Sequence, residues 1–600
     1  MELQQYGIEG VDDEDEFDAA TQYMIEQSLL EHNKWKEEGR SSWPDFADSS
    51  SIFTAIRQGN EKLLKDLCVQ QRNTFSQTDS RGWTPLHEAA AQSNQTILKL
   101  IFRVSGQHSV KSCTLCGKTP LFLAVERGLI ENASFLLQHG AQPDSHDHDQ
   151  DTPLVIAIRS DRTDLVKLLL HYGSWVNQKG RYGRCPLHEA SELGKSALVT
   201  LLLKAGAQPD PRSNFGLTPL ALAAQGGHLE VMEILLSRGA DILSEAKDKA
   251  SILYEATLSE NPSVIRLLLE YGADANVGTN TKHMPIHSVA HQGNLEALKL
   301  LIPVTSIEEV NNSGISPLHS AAAGGHPHCI KALLDAGYDP NYMLHPWVQR
   351  GYDDERKSVL FFAVSNNDVP SAKLLLEGGA MANQDPIKCL QVALRLGNYE
   401  LIDLLLTFGA NVNYYCKVNT THFPSALQYA FTDEVVLRML CNYGYDVGRC
   451  FDCPYGNDSH IPKGFEAWTN CVIKDSLFCE VITVSWLKNL SGQVVRILLD
   501  YVDHVNFCSK LKAVLMEQQQ WPDICKLQEN VRCLQHLCRL RIRRCLGRRR
   551  LRTHVFPSFL PLPGRLRDYI LYREYDLYGR QSNCTAASQG RRSEKTDKIC

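Results

Sequence analysis

Cys185-Pro186-Leu187-His188-Glu189-Ala190 decides the fold, because near-copies of it recur along most of the chain, each followed by a glycine and a leucine-rich run. The copies that keep the proline place it at Pro85, Pro120, Pro153, Pro186, Pro219, Pro285 and Pro317, in steps of 35, 33, 33, 33, 66 and 32 residues. The step of 66 is two units, with Ile252 of Ser251-Ile252-Leu253-Tyr254-Glu255-Ala256 in the vacant slot. Proline suits a first helical position, where its missing N–H would have gone unpaired and its fixed φ is already helical. The alanines behind it (Ala89-Ala90, Ala223-Ala224, Ala321-Ala322) are small where two helices press together, and Gly194, Gly227 and Gly325 close the first helix. A second helix follows. Its apolar face is read as the triplets Leu168-Leu169-Leu170, Leu201-Leu202-Leu203, Leu267-Leu268-Leu269, Leu374-Leu375-Leu376 and Leu404-Leu405-Leu406. One unit cannot bury such a face, so stacked neighbours must supply the core.

A 33-residue period with this core resembles the ankyrin repeat, a hairpin and two antiparallel helices per unit. The expected fold is all-α: an ankyrin-repeat solenoid of helix pairs with short β-hairpin loops, followed by a small helical module. Slots at 51, 85, 120, 153, 186, 219, 252, 285, 317, 359, 389 and 426 predict about twelve repeats over residues 51–445. An acidic arm (1–50) precedes them. An irregular linker with terminal helices (446–526), a C-terminal module (527–578) and a tail expected to lack structure (579–600) follow. His87, His188, His287 and His319 are residue types that bind metals or act as bases, but their recurrence at the repeat period assigns them a structural hydrogen-bonding place in the fold. Trp83, Arg181, Tyr182 and Phe215 fall at hairpin tips and are the candidate contacts for a protein target, since aromatics and arginine dominate interface energetics.

A chain of 600 residues with 43% hydrophobic and 22% charged residues reads as globular, too long for one core but ordinary for a repeat array. Its net charge of −7 hides an asymmetry between Asp12-Asp13-Glu14-Asp15-Glu16 and the eight arginines from Arg539 to Arg552. No apolar run approaches 18 residues and the N-terminus carries no secretory pattern, so the expected setting is intracellular, with no membrane contact. The 19 cysteines are then expected to be reduced. Cys113/Cys116 and Cys450/Cys453 have the spacing of half a zinc site, and Cys471 and Cys479 would serve the later pair, but no second pair stands at finger or ribbon distance. The expectation is therefore thiols, with no metal and no cofactor. Phosphate-binding glycine loops, nucleophile elbows and zinc-protease motifs are missing from the sequence, so no enzyme is expected.

In the C-terminal module Leu534, Cys538 and Ile542 lie four apart and form one stripe on a helix, widened by Leu537, with arginines on the other faces. Leu560-Pro561-Leu562-Pro563 then presents leucines from a stiff extended backbone. Arg565 to Tyr572 supplies a short helix with Leu566, Tyr569 and Ile570 on one side. This combination resembles the SOCS box. The resemblance implies that Leu534, Leu537, Cys538 and Ile542 bind elongin C, which pairs with elongin B, and that Leu560 to Pro563 recruit cullin-5 with its RING subunit. In the arm, the acidic run followed by Ile25, Ser28, Leu29 and Glu31 resembles a ubiquitin-interacting motif, which implies ubiquitin as a further partner.

Repeats and box together resemble the ankyrin repeat and SOCS box family. The implied function is a non-catalytic substrate receptor of a ubiquitin ligase, bound to a protein target by its repeats and acting in the cytoplasm and also the nucleus. The rival reading takes Arg541 to Arg552 as a nuclear-import or nucleic-acid patch. A nucleic-acid partner is not expected.

Overall fold

A computed structural model describes residues 51–70, 75, 77–349, 356–385, 387–413, 425–453, 478–485, 487–530, 532–552 and 561–578. The arm that carries Ile25, Ser28, Leu29 and Glu31 lies outside them, as do Leu560 and Cys471. The chain divides into two compact units, one through Ser174 and one from Trp175 onward.

Among the described residues the first unit holds four helix pairs, from Ser51–Arg57 with Glu61–Gln70 to Pro153–Arg159 with Thr163–His171, and the second holds eight more, from Pro186–Glu192 with Ser196–Lys204 to Ala426–Tyr429 with Glu434–Asn442. Local chemistry sets each start. Thr119, Thr152, Thr218, Ser251 and Ser358 have extended backbones, and their hydroxyls accept from the N–H three residues on, at 3.2–3.3 Å. Such caps satisfy one of the donors that every helix start leaves open. Gly194 ends its helix at φ +68°, and a side chain there would meet the His228 ring at 2.5 Å, so both conformation and space demand glycine.

The leucine triplets pack differently from the sequence reading. Only the central leucine is fully enclosed in Leu168-Leu169-Leu170, Leu201-Leu202-Leu203 and Leu267-Leu268-Leu269; its neighbours are half-buried. Three successive helical residues span about 200°, so they cannot share one face. The enclosed sets are Leu165, Val166 and Leu169, then Leu198, Val199 and Leu202, then Val264, Ile265 and Leu268, each at the i, i+1, i+4 spacing of one helical side.

The four motif histidines are enclosed, and each joins one repeat to the next. Nδ1 accepts from the backbone N–H of Thr84, Cys185 or Met284 in His87, His188 and His287, at 3.0–3.1 Å. Nε2 donates to carbonyls of the following loop: His87 to Lys118 (3.2 Å), His188 to Leu217 (3.1 Å), His287 to Ile315 (2.9 Å) and His319 to Lys357 (3.0 Å). One nitrogen accepting and one donating is the neutral imidazole. Burial holds it neutral, pulling His87, His188 and His319 down to about 4 and His287 to about 3. They are structural histidines.

The loops form turns rather than ladders: among the described residues the only bridges are Glu245 with Ser251 and Met343 with Ser358. The second bridge, with Leu344 N–H donating to Lys357 O at 2.9 Å, closes the base of the longer connection at 342–357. A helix that the sequence does not signal, Ile307–Ser313, enters before Pro317. Beyond Asn442 come Gly448–Phe451, Phe478–Ile482, Ser491–Leu498, Ser509–Met516, Trp521–Glu529, Leu534–Arg552 and Gly564–Ile570. No described helix is long and apolar enough to cross a membrane.

Candidate functional site

The helix Leu534–Arg552 is interrupted at Gly547, whose φ of 74° and ψ of 158° are not helical. Before that break its outward side carries Leu534, 76% exposed, with Cys538 and Ile542, 38% exposed, in line below it and half-buried Leu537 alongside. An apolar row this exposed on a fixed helix is a surface made to be covered.

The inner side of the same helix is polar, and it is buried. His536, Arg539, Leu540 and Arg543 are each at most 9% exposed. His536 Nε2 donates to Val502 O at 3.2 Å. Arg539 pairs with Glu574 and lies over the rings of Tyr569 and Tyr572, 3.6 and 4.2 Å from their centroids. Arg543 donates to Ile570 O (2.9 Å), Asn442 O (2.8 Å) and Cys441 O (3.3 Å), with Tyr572 4.8 Å away. Tyr501 stands 4.6 Å from Tyr572, and Arg438 lies over Tyr575 at 4.8 Å. Cations and tyrosines thus alternate through the contact between this helix, the last repeat helix Glu434–Asn442 and Gly564–Ile570. Burial pulls the Arg543 guanidinium down and pushes the Tyr572 phenol up, as an environment poor in water must.

This corrects the sequence reading of the basic stretch. Arg539 and Arg543 are interior packing groups, whereas Arg541 and Arg544 stay exposed; nothing is described of the side chains of Arg548 to Arg550. Of the proline segment, Pro561 and Pro563 are exposed and Leu562 half-buried, and Pro563, at φ −54° and ψ 143°, caps Gly564–Ile570 in an extended conformation. Leu566, Tyr569 and Ile570 do not share one environment: Leu566 is 47% exposed, Tyr569 half-buried and Ile570 enclosed.

In the second unit Arg181, Tyr182 and Phe215 come together on neighbouring tips. Arg181 lies over Tyr182 at 4.9 Å and the Tyr182 and Phe215 rings are 6.1 Å apart, each ring more than two-fifths exposed. Asn214 N–H donates to Tyr182 O (2.8 Å) and Lys247 N–H to Phe215 O (2.9 Å), so the tips are laced in a row that holds these side chains in place. Trp83, in the first unit, is half-buried under Arg81, 4.2 Å from its ring. Cys113 and Cys116 are exposed. Cys453 instead gathers with Cys479 and with Cys508, which no sequence spacing singled out, all three sulfurs within 4.8 Å of one another.

Comparison with known proteins follows this division of the chain. The family profile described as ankyrin repeats matches residues 52–147, 90–180, 142–213, 187–279 and 253–343, and that described as the SOCS box matches 530–571. The chain is 62% identical over 579 residues to ankyrin repeat and SOCS box protein 14 of Mus musculus, covering 95% of this chain and 98% of that protein. Against the Homo sapiens protein of the same name identity is 53% over 575 residues, 95% and 97% of the two chains. A Bos taurus protein named dynein axonemal heavy chain 12 is 60% identical over 304 residues, 51% of this chain and 85% of that one. The family assignment rests on the two matches that run nearly end to end.

Proposed function

The chain belongs to the ankyrin repeat and SOCS box family, and from that premise we propose that it links a protein target to an elongin B/C, cullin-5 and RING ubiquitin ligase. Membership makes it a substrate receptor of cullin–RING ligases, with repeats for the target and a SOCS box for the ligase; neither matched family is enzymatic. The division of labour among residues is our reading. The observation that carries it is the exposed row Leu534, Cys538 and Ile542 on a helix whose opposite side is locked by Arg539 and Arg543. Leu534, Leu537, Cys538 and Ile542 take an apolar groove of elongin C. Leu560, Pro561, Leu562 and Pro563 contact cullin-5 from a backbone whose prolines hold it extended. Arg181, Tyr182 and Phe215, with Trp83, anchor the target, which is ubiquitinated and degraded. The arm around Ile25, Ser28, Leu29 and Glu31 binds ubiquitin weakly, and Leu29→Asp in the full chain should abolish any ubiquitin-induced signal; a signal that survives sinks this part. The site of action is the cytoplasm, with the nucleus reached as well.

Two full-length variants test the core of the proposal. Leu534→Asp with Cys538→Arg forces two charged groups to be desolvated in an apolar contact, at a cost of about 3 kcal/mol or more. That variant should lose the elongins and the cullin together. Alanine at Leu560, Pro561, Leu562 and Pro563 should keep the elongins and lose most of the cullin. Elongin retained by the first variant overturns the assignment.

A further inference from the structure

We propose that Cys453, Cys479 and Cys508 form a zinc site that ties together three segments lying between the last repeat and the SOCS box. Their sulfurs come from three separate places in the sequence, 26 and 29 residues apart, yet lie within 4.8 Å of one another. None occupies a repeat position, unlike Cys185, which precedes a motif proline, or Cys389, which opens a repeat helix. Their convergence is therefore not a by-product of the period.

The backbone brings them there through aromatic neighbours. Phe451, Phe478 and Phe507 stand within two residues of the respective cysteines, with Phe451 6.2 Å from Phe478 and 5.7 Å from Phe507. These contacts hold the three segments in register before any ion arrives, which lowers the ordering cost of binding. Cys479 and Cys508 are buried and Cys453 is half-exposed. Cys453 and Cys508 line a cavity of about 510 Å3 together with His504 and Arg544, which gives an ion a route to the sulfurs and leaves room for a fourth ligand. A divalent cation binds here by exchange: three S–H groups release three protons to solvent as three metal–sulfur bonds form, with no change of oxidation state. Three thiolates favour a soft ion, and zinc accepts tetrahedral sulfur coordination without a geometric preference of its own. Ligands far apart in sequence also let one ion close two long loops, where the constraint on the unfolded chain is large.

The site is independent of the ligase reading, since the outward row at Leu534 takes no part in it. The test uses the purified full-length chain, first analysed for zinc, then stripped with chelator and titrated with Co2+. About one zinc per chain and a sulfur-to-cobalt charge-transfer band are expected. Cys453→Ser, at the rim of the cluster and least able to disturb the fold, should weaken metal binding at least tenfold and alter the band. Cys479→Ala and Cys508→Ala should abolish both, and Cys113→Ser with Cys116→Ser should change neither. Absence of zinc together with absence of the band in the wild-type chain overturns the proposal, as does undiminished binding by Cys453→Ser.

Discussion

Replacing Arg543 by alanine should release the SOCS-box helices from the end of the array, and the size of the effect can be worked out bond by bond. The guanidinium donates to Ile570 O, Asn442 O and Cys441 O at 2.8–3.3 Å. Cys441 O keeps a second donor, Gly444 N–H at 3.2 Å, so two carbonyls lose the partner that Arg543 supplies. An unsatisfied buried acceptor costs about 1–3 kcal/mol, and the lost contact with Tyr572 adds about 1 kcal/mol. Part of this is offset because the variant no longer desolvates a charge. The net loss is about 3 kcal/mol, or roughly a hundredfold in the opening equilibrium of this contact. Hydrogen exchange read by mass spectrometry over Gly564–Ile570 and Glu434–Asn442 should show that acceleration in Arg543→Ala. Arg541→Ala, which removes an exposed arginine two residues away in the chain but not on this face, should stay near wild type. Exchange in Arg543→Ala within about threefold of Arg541→Ala would refute the view that Arg543 is an internal tie.

Acid should weaken the array above the range where most carboxylates respond. Unfolded, each motif imidazole takes a proton near pH 6.5, while folded His87, His188 and His319 stay neutral to about pH 4 and His287 to about pH 3. Between those limits the unfolded chain binds the extra protons, so stability is lost as pH falls, by about 2 kcal/mol per histidine at pH 5. Urea denaturation at pH 7.5, 6 and 5 checks this, and a flat profile would contradict it. Glu255 works in the other direction. Burial pushes its carboxyl up to about 7 beside Gln225, whose Nε2 donates to it at 2.6 Å, so its contribution is full below 4.5 and lost as pH rises through 7. Glu255→Gln should therefore raise stability at pH 8 by about 1–3 kcal/mol and leave it unchanged at pH 4, and an equal effect at both would exclude a buried, protonated carboxyl.

The repeats were legible because every unit restates the same local rules: a capping residue, a proline, paired alanines, a glycine and an apolar helix. Thr218, Pro219, Ala223-Ala224 and Gly227 each do in the structure what their chemistry dictates. The outward row of the SOCS helix was legible for the same reason, since Leu534, Cys538 and Ile542 need only helical spacing to be recognised. Contacts between segments distant in sequence were not. Nothing local marks Arg543 as the partner of Cys441 and Asn442, about a hundred residues earlier, and the identical residue type at Arg541 faces water. Cys508 meets Cys453 and Cys479 where Phe451, Phe478 and Phe507 pack together, a contact between segments that no local pattern announces. The leucine triplets erred in a simpler way, since counting apolar residues overlooked the angle between them.

Why should the inner side of the SOCS helix be built from arginine, histidine and tyrosine, when leucines would pack against the array at less desolvation cost? With leucines there, the helix would be apolar on both sides, and nothing but chance would decide which side met the array and which the partner. The cations remove that ambiguity. Arg539 needs Glu574 and the tyrosine rings, and Arg543 needs helix-end carbonyls, so only one orientation satisfies them and the other would bury charge unpaired. Leu534, Cys538 and Ile542 are then left outward by exclusion rather than by their own preference. The row stays exposed until a groove covers it. On this reasoning Arg539 and Arg543 do much to specify the face proposed to bind elongin C.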